Sequence, residues 1–118
     1  MTNTNLFGCT LTALVEHSQR LPQVRKGDLH PGDRLLVITC NSVYSLQVIG
    51  EGFYRVCGGW FDRKGLSPMK ITITGCTWGG SAIKLDIVAA CGLRLEFGNR
   101  VVTSPIRKIY VFPHGSEN

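Results

Sequence analysis

Two tryptophans stand beside glycine pairs, in Gly58-Gly59-Trp60-Phe61 and in Gly75-Cys76-Thr77-Trp78-Gly79-Gly80-Ser81. A flat ring on a freely bending backbone is what a loop needs to stack on a base, a sugar or a partner surface, and the first motif runs straight into Asp62-Arg63-Lys64. The competing assignment is structural: tryptophan plugs the open end of a small barrel while glycine allows the bend beside it. Cationic residues add to the binding case. Residues 54 to 75 hold Arg55, Arg63, Lys64 and Lys70 against Asp62, and residues 94 to 112 hold Arg94, Arg100, Arg107 and Lys108 against Glu96. These two segments carry the excess of a chain whose net charge is +5, since residues 1 to 33 sum to zero. If they meet in space they attract polyanions such as nucleic acid; if they do not, they are solubility charge. The candidate binding residues are therefore Trp60, Arg63, Lys64, Trp78, Gly79, Gly80, Arg100, Arg107 and Lys108.

Catalytic patterns are weaker. Ser81-Ala82-Ile83-Lys84 matches S-x-x-K, but a strand places residues three apart on opposite faces, and the K-T-G and S-D-N companions are absent. His17, His30 and His114 lack the context of a Ser-His-Asp triad and read as solvated surface residues. The five cysteines form no C-x-x-C pair, and no closely spaced Cys/His/carboxylate set suits zinc, so no metal or cofactor is expected. Cys40 and Cys57 fall in strand-like runs and read as buried thiols, whereas the glycine-rich turn after Cys76 offers amides able to lower its pKa. Asp86 and Glu96 lie within strand-like runs and suit acid and base work if they face each other across neighbouring strands. Lys84 beside Asp86 and Arg94 beside Glu96 give the simpler account of cross-strand charge pairing. Walker and dinucleotide glycine signatures are missing.

The elements that would carry these residues are strands. From Arg34 onward, apolar runs are short and bounded by Gly, Asn, Ser or Pro. Arg34–Cys40 and Val43–Ile49 read as a hairpin turning at Asn41-Ser42, followed by Phe53–Cys57. Lys70–Thr74 alternates, with Ile71 and Ile73 on one face; Ile83–Ile87 and Leu93–Phe97 repeat the alternation, each with three apolar side chains inward. Gly98-Asn99 reads as a two-residue II′ turn into a strand at 100–103, and Ser104-Pro105 ends it before a last strand over 106–112. Upstream, Thr10 can cap a short helix in which Leu11, Leu14 and Val15 share a face, limited by Pro22. His30-Pro31-Gly32-Asp33 launches the first strand, an entry that resembles the opening of small SH3-like barrels.

These elements predict a mainly β fold: a small closed or partly open antiparallel barrel of six to eight short strands with one short N-terminal helix. The expected division is an N-terminal helical or extended segment over 1–33 packed on the barrel, a barrel over 34–112 and a polar tail over 113–118. A chain of 118 residues with 43% hydrophobic content buries a core of its own, which excludes wholesale disorder, and its length leads us to expect one domain without a second catalytic one. Apolar runs are far shorter than the ~20 residues of a membrane span. The start, Met1 to Phe7, has neither the charged nor the apolar region of a secretory signal, so a cytoplasmic setting with free thiols is expected. The expected function is a non-enzymatic interaction or assembly domain, self-associating or binding a protein partner; the alternative is a module for single-stranded nucleic acid or another polyanion. An enzyme with an unrecognised site is the third class.

Overall fold

The computed structural model describes residues 5–6, 9–10, 19–79 and 82–114. The short helix expected after Thr10, together with His17, Gly80 and Ser81, lies outside them. A small ribbon pairs β1 (Asn5–Leu6) with β2 (Cys9–Thr10). The main body is an antiparallel sheet of eight strands, curled as a half-barrel. Its path runs from β11 (Arg94–Phe97) through β8 (Met69–Thr77), β7 (Phe53–Gly58), β6 (Val43–Gly50) and β5 (Arg34–Thr39) to β12 (Ile106–Phe112) and β3 (Gln19–Arg20). The eighth strand, β9 (Ile83–Lys84), adds to β8 off this path. A separate ribbon of β4 (Gln23–Arg25) and β10 (Ile87–Ala90) contributes Val24, Ile87, Val88, Ala89 and Ala90 to the same core as the curled sheet.

Alternation set the inward faces correctly where a strand has one wet side. Ile71 and Ile73 on β8 are buried, as are Leu93, Leu95 and Phe97 around β11. Leu35, Val37, Leu46, Val56, Ile109 and Val111 complete the interior from the neighbouring strands. β5 departs from the pattern. Leu36 is buried on the opposite face with Tyr110 and Phe112 in a second, smaller cluster, so this central strand is apolar on both sides.

Five local expectations are corrected. The β5–β6 turn is centred on Cys40-Asn41, one residue earlier than Asn41-Ser42, because Ile38 pairs with Val43 and the Thr39 N–H donates to the Ser42 carbonyl at 2.8 Å. Thr39 Oγ1 also accepts the Ser42 N–H at 3.0 Å, which clamps the turn without a positive φ at Asn41. The stretch Ile83–Ile87 is not one strand: it breaks at Leu85-Asp86 into β9 and β10, leaving only Ile87 of its three apolar residues buried. The hairpin after β11 uses three residues, Gly98 to Arg100, with the left-handed position filled by Arg100 (φ 71°). Gly98 is needed for space instead, since a Cβ there would lie 2.1 Å from Thr72 Oγ1. Residues 100–103 form no strand, only a single bridge between Val102 and Glu96. Finally, the described α-helix is α1 (Gly59–Arg63), in a stretch expected to be a loop.

Candidate functional site

α1 is a helix of five residues that tertiary contacts hold in place. Tyr44 on β6 accepts the Trp60 N–H through its hydroxyl at 3.3 Å. The Asp62 carboxylate accepts the Gly58 N–H at 2.9 Å and the Ser67 hydroxyl, which ties the chain before the helix to the chain after it. Phe61 is fully buried and meets Phe97 edge-on, with ring centroids 4.8 Å apart, while Tyr44 and Trp60 also meet it edge-on at 6.3 and 5.2 Å. Gly58 and Gly59 make this possible. Both have positive φ, and a Cβ would lie 2.1 Å from the Val43 carbonyl oxygen at Gly58 and 2.2 Å from the Tyr44 ring at Gly59. The first tryptophan motif is therefore a packed corner, with Trp60 half-buried against the core.

Beside this corner lies a cleft of about 270 Å³ between α1, the β5–β6 turn and residues 101–104. Arg63 and Arg94 both line it, one from each basic segment, together with Trp60, Tyr44, Ser42 and Thr103. Arg63 Nη1 donates to Ser42 Oγ at 3.3 Å, and Arg94 Nη1 donates to the Thr103 carbonyl at 3.4 Å. The lining contains no carboxylate. Asp62, next to Arg63 in sequence, is occupied by Gly58 and Ser67. Hydroxyls of Thr39, Thr103 and the half-buried Ser104 fix the walls. Ser104 Oγ donates to Thr39 Oγ1 at 2.8 Å and accepts the Asn41 N–H at 3.0 Å, while Thr103 Oγ1 accepts the Leu95 N–H at 3.0 Å. Chemically, the cleft offers two cations and a wall of fixed hydroxyls.

The second tryptophan has the opposite environment. Trp78 follows the end of β8 and is 63% exposed, and Ile83 at 40% and Leu85 at 62% are exposed on and just after β9. Lys84 places its ammonium 5.2 Å from the Trp78 ring centroid. Gly79 has a φ of 123° and open space where a Cβ would go. Trp78 does not line the Arg63–Arg94 cleft.

The remaining sequence candidates are dispersed. Lys64 is exposed at the C-terminal cap of α1, Arg100 in the β11 turn and Lys108 on β12 opposite Ile38. Arg107 approaches Cys40 Sγ at 3.5 Å. Arg55 donates to Gln47, and Lys70 sits over the Phe53 ring. Of the predicted binding set, the cleft gathers Trp60 and Arg63. Arg94 was visible as a basic residue but was read as the partner of Glu96, and no spacing in the sequence connects Ser42 with Thr103. The hydroxyl-rich stretches Thr39–Ser42 and Thr103-Ser104 were the available signal, each beside a strand terminus.

The other groups with catalytic potential are engaged structurally. Asp86 pairs with Arg25 at 3.5 Å, while Glu96 lies opposite Gly75, so these two carboxylates do not face each other through a β-ladder. A wider cavity of about 480 Å³ is lined by Asp28, His30, Asp33 and His114 among others. The buried Asp33 carboxylate accepts the His30 and His114 backbone N–H groups, each at 2.8 Å, and so clasps the entry of β5 to the exit of β12. The glycine-rich turn does not lower the Cys76 thiol: burial pushes it up to about 11, with hydrogen bonding from the Ala90 backbone and the charge of Lys26 opposing that rise. Cys40, Cys57, Cys76 and Cys91 are free thiols; contrary to the buried reading, Cys40 is exposed because it falls in the β5–β6 turn, and Cys57 is half-buried. Among the described residues no group of three His, Cys, Asp or Glu is placed to hold a metal ion, and no helix is long and apolar enough to cross a membrane. Comparison of the chain with known protein families, curated proteins and solved structures finds no match.

Proposed function

We propose that this chain is a small non-enzymatic interaction domain that associates with a second copy of itself through the β8–β9 end. The observation that carries the reading is the exposure of Trp78, Ile83 and Leu85 on one short stretch of a sheet whose other large apolar side chains are mostly covered. Large apolar side chains left exposed close together along a chain are candidates for contact surfaces on small domains. One feature favours a second copy as occupant. β9 pairs only with β8 among the described residues, which leaves its outer edge open to another strand. The non-enzymatic part of the reading is supported by the commitment of Asp33 to backbone amides and by the protonated, buried Cys76 thiol. A reducing, cytoplasmic setting belongs to the same proposal. Light scattering at micromolar concentration tests it: the mass rises above 13.0 kDa with concentration, and Trp78→Asp returns it to the monomer. A wild-type chain that stays monomeric at high micromolar concentration sinks the reading.

A second reading, a module for single-stranded nucleic acid or another polyanion, is favoured by the meeting of Arg63 and Arg94 beside Trp60. The dispersal of Lys64, Arg100 and Lys108 and the cation over Trp78 count against a long stacking track. Oligonucleotide affinity that falls steeply with salt and drops in Arg63→Ala with Lys64→Ala supports it, and a salt-independent signal removes it.

A further inference from the structure

We infer that the cleft between α1 and residues 101–104 is a binding site for a single small oxyanion, a phosphate or carboxylate group borne by a low-molecular-weight ligand. This goes beyond the assembly reading and does not rest on it. Two guanidinium groups face a space of about 270 Å³ whose lining includes no carboxylate. Bringing like charges to one small cleft costs energy in the empty protein, and an entering anion reverses that cost. Each arginine is oriented by a single long hydrogen bond, to Ser42 Oγ or to the Thr103 carbonyl, on a side chain carrying five N–H donors. The rest of each fork suits the paired oxygens of phosphate or carboxylate.

The walls are built before the ligand arrives. Thr39 and Thr103 are buried, and their hydroxyls lock the β5–β6 turn and the strand-like segment that carry the lining residues. Such preorganisation reduces the ordering cost of binding. Size decides the ligand class. Sites for drug-sized molecules span roughly 300–1,000 Å³, so this cleft admits one anionic head group with a small attached portion. Tyr44 and the half-buried Trp60 provide an aromatic wall for that portion.

The test is an amide-resolved NMR titration with inorganic phosphate and, separately, acetate, against chloride at matched ionic strength. Saturable shifts confined to residues 41–42, 60–63, 94 and 101–104 are expected, with affinity lowered roughly tenfold in Arg63→Gln and in Arg94→Gln. Lys108→Gln leaves it unchanged, and Arg94→Lys restores only part of it, because a point charge replaces a fork. A short single-stranded oligothymidylate separates this site from the polyanion reading. Phosphate binding without oligonucleotide binding supports the small-ligand site and removes that reading, whereas oligonucleotide binding that ignores Arg63→Gln and phosphate competition overturns the inference. Linear, unsaturable shifts spread equally over Arg55, Lys70 and Lys108 overturn it as well. Unchanged amide spectra outside the cleft show that each variant is folded.

Discussion

The two tryptophan–glycine motifs have nearly the same composition and opposite roles. At Gly58-Gly59-Trp60-Phe61 the glycines lie against Val43 and Tyr44, the next residue is a fully buried phenylalanine, and the stretch becomes α1. At Trp78-Gly79 the glycine faces open space and the ring stays in solvent under the Lys84 ammonium. Local composition did not separate them. What separates them is the neighbour supplied by a distant strand: Tyr44, Phe97 and Ser67 close around the first motif, while the second extends beyond the sheet. The first motif thus shapes a cleft from within, and the second presents a surface.

The sharpest way to break this contrast is to remove the anchor of the buried motif. Phe61→Ala should cost about 4 kcal/mol, because it empties a fully buried aromatic site among Tyr44, Trp60 and Phe97. A shift in urea midpoint as small as that of a surface substitution would show that α1 is not packed as described. Gly58→Ala comes next, at about 3 kcal/mol, since the new Cβ meets a backbone carbonyl and φ is 102°. Gly79→Ala meets nothing and should cost only about 1 kcal/mol, from its positive φ alone. Equal losses at the two glycines would erase the distinction.

Alkali sharpens the comparison along β8, where Cys76 is buried and Trp78, two residues on, is exposed. Burial raises the Cys76 thiol from its ordinary value of 9.0 to about 11 and raises Tyr54 as well, so the folded chain holds these protons more tightly than the unfolded chain. The Cys76 contribution to stability is complete below about pH 9 and is lost as pH rises through about 11, and the Tyr54 contribution declines in the same direction. Thermal unfolding followed from pH 8 upward should show this decline, reduced in Cys76→Ala. At pH 8 a thiol reagent should modify the exposed Cys40 and Cys91 and spare Cys76. The smallest expected change in stability is at the surface motif: Trp78→Ala stays within about 0.5 kcal/mol of wild type, yet it weakens self-association measured by light scattering.

Much of the sheet was legible from neighbouring residues. Ile71-Thr72-Ile73 and Leu93-Arg94-Leu95-Glu96-Phe97 announced their inward faces through period-two alternation, because one side of each strand meets water. Leu85 misled the same reasoning. It continues the alternation of Ile83, yet the chain turns at Leu85-Asp86 so that Asp86 reaches Arg25 and the next strand joins β4. The strand β4 itself was not anticipated: its Gln-Val-Arg sequence offers one apolar residue, and its pairing is decided by β10, more than 60 positions away along the chain. The cleft was half legible. Trp60 and Arg63 stood out by type and context, while Arg94 had a nearer apparent partner in Glu96, and the hydroxyl walls form only where residues 39–42 meet 103–104.

By itself the sequence determined a β class, the inward faces of its regular strands and the neighbourhoods of most of its turns, since side-chain alternation and backbone preference act between residues close along the chain. The tertiary structure decided that one glycine–tryptophan motif coils into a helix, that the other remains at the surface, and that one arginine from each basic segment comes to share a cleft. Those outcomes depend on how far the sheet curls and on which distant side chains fill the space inside it, and packing at that range leaves no periodic trace in the order of the amino acids.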